Sequence, residues 1–259
     1  MHKKWFANKK RFIMNRKEKK EEKKMDQNKR RKRAQAFFLV AIVLVFWNLM
    51  EGLGGQNKIT VACVGDSITF GTGIEDREKN CYPVRLQEIL GTEQYRVGNF
   101  GVAGVTVQKK GNVPYWEEEL YEKSLKYDAD VIVLLLGTND SKEVNWKSSE
   151  KFKKDYLAMV ESYEKLSGKP QIILVTLPHV FAPDTNWEKD VLMNGKIIEE
   201  ESRIIKEIGK EKDMQVLDLY KLTKGKPEWF GEDGIHPNKE GAKAIAKAVA
   251  KIVKMKNQK

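Results

Sequence analysis

The 259 residues hold only three histidines and two cysteines. His2, His179 and His236 stand far from Cys63 and Cys81 and from one another, so no metal-ligand spacing exists. Neither a metal nor another cofactor is expected. Cys63 lies in an apolar run and reads as a buried thiol; a Cys63–Cys81 bridge is open only to a domain outside the cell. Internal repeats are also lacking.

Positive charge is scarce where the overall composition suggests it. The chain carries a net +11, but residues 1–33 hold 16 Lys and Arg against four acidic residues, which is +12. The remaining 226 residues therefore come to −1. The body has no electrostatic footprint for nucleic acid, and a nucleic-acid partner is not expected. A basic arm in the tail is the competing reading.

The stretch directly after the tail favours a membrane. Residues 34–50, AQAFFLVAIVLVFWNLM, contain no charge. At 1.5 Å per residue they rise about 25 Å, at the short end of what crosses a bilayer. A polybasic flank ahead of such a stretch is held in the cytoplasm. The expected order is a basic cytoplasmic tail (1–33), a transmembrane signal anchor (34–50), a linker (51–57) and an extracellular domain (58–259). A cleaved signal peptide, leaving a secreted domain, competes because Gly52, Gly54 and Gly55 are small, although no clear A-x-A site stands there. A buried core helix is a third option. About 200 residues remain after the anchor, enough for one domain with a proper core.

Within that domain, short apolar runs alternate with helical patterns. Strands are expected at Lys58–Val64, Tyr95–Gly98, Val131–Leu136, Gln171–Thr176 and Gln215–Leu217. Helices are expected at Tyr82–Leu90, from about Ser149 to Leu166, from about Val191 to Lys210, and from near Pro237 onward. The unbroken apolar run Val131–Leu136 suggests a strand buried on both faces of a parallel sheet. In the last helix Ala242, Ile245, Ala246, Val249 and Val253 form the inward stripe, with lysines opposite. Such alternation implies an α/β domain, whose chemistry gathers outside the carboxyl ends of the strands.

Four segments near those ends carry candidate chemistry. Gly65-Asp66-Ser67-Ile68-Thr69 follows the first strand; a tight turn there could expose the Ser67 hydroxyl, but alone it reads better as a helix cap. Asn99-Phe100-Gly101-Val102-Ala103-Gly104 follows the second, and a Gly104 N–H could face an oxyanion. Gly137-Thr138-Asn139-Asp140 follows the third, placing a side-chain amide or an ordinary turn. Asp233-Gly234-Ile235-His236-Pro237-Asn238 leads into the final helix. A carboxylate three residues before a histidine can hold one ring nitrogen and leave the other for a nucleophile.

In order and spacing these four segments resemble the SGNH, or GDSL-type, hydrolases, over nearly the whole of residues 58–259. One departure is Ile68, where the family motif has Leu. The resemblance implies a flavodoxin-like three-layer α/β/α sandwich with a five-stranded parallel sheet in the order 2-1-3-4-5. It also implies a serine esterase: Ser67 as nucleophile, His236 as general base, Asp233 as its orienting carboxylate, and Ser67, Gly104 and Asn139 as oxyanion donors.

Aromatics mark the loops where such a site would open: Tyr115, Trp116, Trp146 and Trp187, with His179. Flat rings on a cleft rim suit sugar faces or acyl chains; the same residues could be local core. The run Gly111-Asn112-Val113-Pro114-Tyr115-Trp116, and Asn139-Asp140-Ser141 followed by Asn145-Trp146, look similar to bacterial carbohydrate O-acetylesterase-type members. The expected substrate is then a small-molecule or glycan ester with a short acyl group, most simply acetyl. A lysophospholipase or thioesterase, or an acetyl transferase acting on wall glycan, are the alternatives.

Overall fold

A computed structural model describes residues 58–181 and 193–256, with scattered residues before them. By contacts the chain divides into residues 1–56 and residues 57–259. The expected anchor, residues 34–50, lies almost entirely outside the described residues. Among those described, no helix is long and apolar enough to cross a membrane.

The domain is built on five parallel strands, β1 (Ile59–Gly65), β2 (Tyr95–Gly101), β3 (Val131–Leu135), β4 (Gln171–Val175) and β5 (Gln215–Leu217), in the order β2-β1-β3-β4-β5. All of β3 is buried, and β1 is buried from Thr60 onward. Their apolar runs lie between two helical layers, which is why neither strand alternates. Strand β2 continues past Gly98 because Asn99, Phe100 and Gly101 pair with Cys63, Val64 and Gly65.

Five helices cover the sheet: α1 (Tyr82–Leu90), α2 (Glu119–Leu125), α3 (Ser149–Glu164), α4 (Gly195–Glu211) and α5 (Lys239–Lys256). Right-handed crossovers put α1 and α5 on one face and α2, α3 and α4 on the other. The packing agrees: α1 lies against α5, and α3 against α4. In α3, Phe152, Tyr156, Met159, Val160 and Tyr163 face inward, and the Ser148 hydroxyl caps the helix by accepting from the Lys151 N–H. Helix α4 begins at Gly195, four residues later than its periodicity suggests, where Asn194 caps it through the N–H groups of Lys196 and Ile197. Helix α2 has no counterpart among the expected elements. Its sequence, ELYEKSL, turns only Tyr121 and Ser124 fully inward, too little for a visible stripe.

One core position breaks the pattern. Glu201 sits in the inward stripe of α4 beside Ile198, Ile205 and Ile208, fully buried, and neither carboxyl oxygen has a hydrogen-bond partner among the described residues. Burial pushes its carboxyl well above the usual carboxylate range, and the nearby Asp140 and Asp66 push the same way. An acid raised in the folded state loses stability as pH rises above its unfolded value. Glu201→Met, similar in volume, is expected to raise stability at pH 7 by about 1–3 kcal/mol. The gain should shrink toward pH 4; urea unfolding at the two pH values measures it. A loss of stability at both would contradict the reading.

Cys63 and Cys81 are both buried free thiols, and burial pushes Cys63 up to about 12.

Candidate active site

At the carboxyl end of β1 the chain turns into a single helical turn, Ser67–Phe70. Asp66 caps it: one carboxyl oxygen accepts the Ile68 N–H at 3.0 Å. The other accepts the Thr138 N–H at 3.2 Å, tying this turn to the one after β3. Burial raises Asp66 above its ordinary value despite those bonds. Because Asp66 supplies the cap, the Ser67 hydroxyl is left free of that task.

That hydroxyl bonds to His236 instead. Ser67 Oγ lies 2.9 Å from His236 Nε2, across 169 residues of sequence. His236 Nδ1 lies 2.5 Å from Asp233 Oδ2. A carboxylate at Nδ1 fixes the proton there, so Nε2 accepts from the serine. The second Asp233 oxygen accepts the N–H groups of Ile235 and His236, each at 2.9 Å. Burial works to raise Asp233, but the His236 ring and these two N–H groups outweigh it and hold the carboxyl at about 2.

Gly234 makes that loop possible. Its φ is +64°, and a Cβ there would lie 2.2 Å from the Phe181 carbonyl oxygen. The Phe181 N–H donates to the Gly234 carbonyl at 2.8 Å. The segment leaving β4 is thereby fastened to the loop that carries Asp233 and His236.

The remaining expected donors lie on two linked turns. Gly104 has φ +85°, in the left-handed region. Asn139 sits on a short 3₁₀ turn after β3, 2% exposed, and donates one amide hydrogen to the Val105 carbonyl at 3.0 Å. Its other amide hydrogen has no acceptor among the described residues. Among the described residues, the Ser67 and Gly104 N–H groups donate to no protein acceptor. Asp140 holds the two turns together, accepting the Val107 N–H at 2.9 Å and the Gln108 N–H at 2.8 Å. Burial raises it to about 7, against the pull of those bonds. Asn145 adds a further tie, donating to the Asn139 carbonyl and accepting the Asn112 N–H. Neither residue is legible as a support of the site, since the N–H groups that Asp140 and Asn145 accept come from more than thirty residues away.

The expected aromatic rim divides. Tyr115 is fully buried, its hydroxyl donating to the Phe100 carbonyl at 2.7 Å, so it is core. Trp116 donates to the Val107 carbonyl and packs edge-on against Tyr121, while Lys109 covers its face. Trp146 packs against Phe152 of α3. These last two brace the loops rather than stand free of them. His179 does lie beside the catalytic loop, between Phe181 and Tyr220. Trp187 falls outside the described residues. No cluster of metal-ligating side chains occurs among the described residues. A cavity of about 480 Å³ lined by Lys58, Arg96 and Asp130 lies at the opposite, amino end of the strands.

A Ser–His–Asp set hydrogen-bonded at the carboxyl end of a parallel α/β sheet is the arrangement that makes a serine hydroxyl an acyl-accepting nucleophile. The chain belongs to the GDSL-like lipase/acylhydrolase family, which matches residues 63–244. It is 37% identical over 217 residues to an acetylxylan esterase of Xylanibacter ruminicola. The match covers 77% of this chain and 44% of that relative, so the chain spans less than half of the relative's length. The fold is similar to that of Est24, a carbohydrate acetylesterase from Sinorhizobium meliloti, with a TM-score of 0.64 at 18% identity, covering 76% of this chain and 99% of that one. An aryl esterase of M. smegmatis gives the same values.

Proposed function

We propose that this chain is a carbohydrate acetylesterase working through an acyl-serine intermediate. The observation that carries the chemistry is the hydrogen-bonded chain from Ser67 through His236 to Asp233. The name of the 37% identical relative supports the substrate class.

Ser67 Oγ attacks the acyl carbonyl carbon, and its proton passes to His236 Nε2. The negative charge on the former carbonyl oxygen is met by the Ser67 and Gly104 N–H groups and the free Asn139 amide hydrogen. The tetrahedral species collapses as His236 returns the proton to the departing sugar oxygen. Water then attacks the acyl-serine, again giving a proton to Nε2, and acetate leaves as Ser67 recovers its hydrogen. Asp233 stays ionised throughout and stabilises the imidazolium.

The uncharged stretch at residues 34–50 would anchor the protein, with the tail inside and residues 58–259 outside the cell. Ester substrates on extracellular glycan would then be within reach. The test is a panel of p-nitrophenyl esters of increasing chain length alongside acetylated xylo-oligosaccharides. Acetate release from the sugars, with acetyl preferred over long acyl chains, is the expected result. Turnover of long-chain esters without any acetylated sugar would favour a lipid esterase instead.

A further inference from the structure

Three partly exposed aromatic rings run in sequence away from the catalytic loop. Phe181 is bonded to Gly234 through its N–H. Its ring lies 4.6 Å from His179, which lies 5.4 Å from Tyr220. His179 and Phe181 follow β4, and Tyr220 follows β5, so all three stand at the same end of the sheet as Ser67. Strand β5, which Tyr220 follows, is three places from β1, which Ser67 follows. At the usual strand spacing that is about 14 Å, more than a single sugar ring spans.

Tyr220, the last ring of the row, also lines a cavity of about 490 Å³ together with Lys196, Glu199 and Arg203. That volume falls in the range of small-molecule sites, roughly 300–1,000 Å³. Arg203 is committed to Glu200 and Glu207. Lys196 and Glu199 form no ion pair among the described residues, so a strong donor and a strong acceptor stand free beside an aromatic face. Rings for the apolar face of a pyranose, and free polar groups for its hydroxyls, are the combination that recognises sugar.

We propose that His179, Tyr220, Lys196 and Glu199 form a subsite for sugar residues of the glycan chain beyond the one that carries the acyl group. The inference rests on the carbohydrate reading above and adds where the chain runs. Its direction is set by Phe181, which joins the row to the Asp233–His236 loop. His179 serves as a neutral ring here, since burial, then the nearby Lys224, lowers its pKa. A neutral imidazole stacks without bringing a charge into the row.

The test compares acetylated xylose, acetylated xylotetraose and p-nitrophenyl acetate on the full chain and on Tyr220→Ala and Glu199→Gln. The variants are expected to raise KM for acetylated xylotetraose about five- to tenfold. Their kcat, and their kinetics on p-nitrophenyl acetate, should match the wild type, and Tyr220→Phe should restore KM. If the wild type turns over both sugars and neither variant changes KM for the tetrasaccharide, the subsite is wrong and the carbohydrate reading stands. A parallel fall on p-nitrophenyl acetate would make Tyr220 structural and also overturns the subsite. If the wild type releases acetate from neither sugar, the carbohydrate reading fails and this inference with it.

Discussion

Ser67→Ala is expected to lower turnover of p-nitrophenyl acetate by about 10⁴–10⁶-fold while leaving the fold intact. The size reflects what is removed. Without Oγ no acyl-serine can form, and His236 can only help water attack directly from a geometry arranged for the serine. The oxyanion donors remain and leave a residual rate above the uncatalysed one. Folding should survive, because Asp66 rather than Ser67 caps the turn. Among the described residues, the one side-chain hydrogen bond of Ser67 is that to His236. Steady-state kinetics alongside a thermal melt make the check. An unchanged rate with an unchanged melt would remove Ser67 from the mechanism.

Asn139→Ala is expected to lower kcat by about 10²–10³-fold, or roughly 3–4 kcal/mol, with little change in KM. The free amide hydrogen meets charge that exists only after attack, so its loss falls on the transition state rather than on substrate binding. The same substitution removes the bond to the Val105 carbonyl, a structural cost of about 1 kcal/mol. The two effects separate by measurement, because the structural part appears in the melt and the catalytic part in kcat. A rise in KM with kcat preserved would assign Asn139 to ground-state binding.

How far the sequence carries is clearest at particular residues. Strands β1 and β3 were legible because burial on both faces leaves an apolar run that nothing else explains. The parallel sheet and its strand order, implied by the family resemblance, are present. The end of β2 was not legible: Asn99 and Gly101 look like a turn and become strand only through their pairing with β1. Helix α2 leaves no signal in the sequence because one buried tyrosine and one buried serine make no periodic stripe. For Tyr115 the sequence leaves rim and core both open, and the structure makes it core. An aromatic in a glycine-rich loop looks exposed until its hydroxyl finds a buried carbonyl, here that of Phe100.

The site shows the same division. Ser67, Asn139, Asp233 and His236 stand out because four motifs occur together in one order, although the Ser67 segment alone reads as a helix cap. Their supports do not, since each rests on a contact between distant segments. Asp66 joins two strand ends, Asp140 clasps the loop of Gly104 to the turn of Asn139, and Phe181 fastens the segment after β4 to Gly234. Periodicity and spacing record what a residue does along its own element. They hold nothing about which backbone N–H will arrive from elsewhere.

The proposed mechanism depends on activation of Ser67 by His236 to form a covalent acyl intermediate. Intact-mass analysis and peptide mapping after treatment with a fluorophosphonate probe test it most directly. One adduct per chain, located on Ser67 and absent from His236→Ala, is the predicted result. A folded protein that takes no label, takes it on another residue, or labels Ser67 equally well without His236 would contradict it.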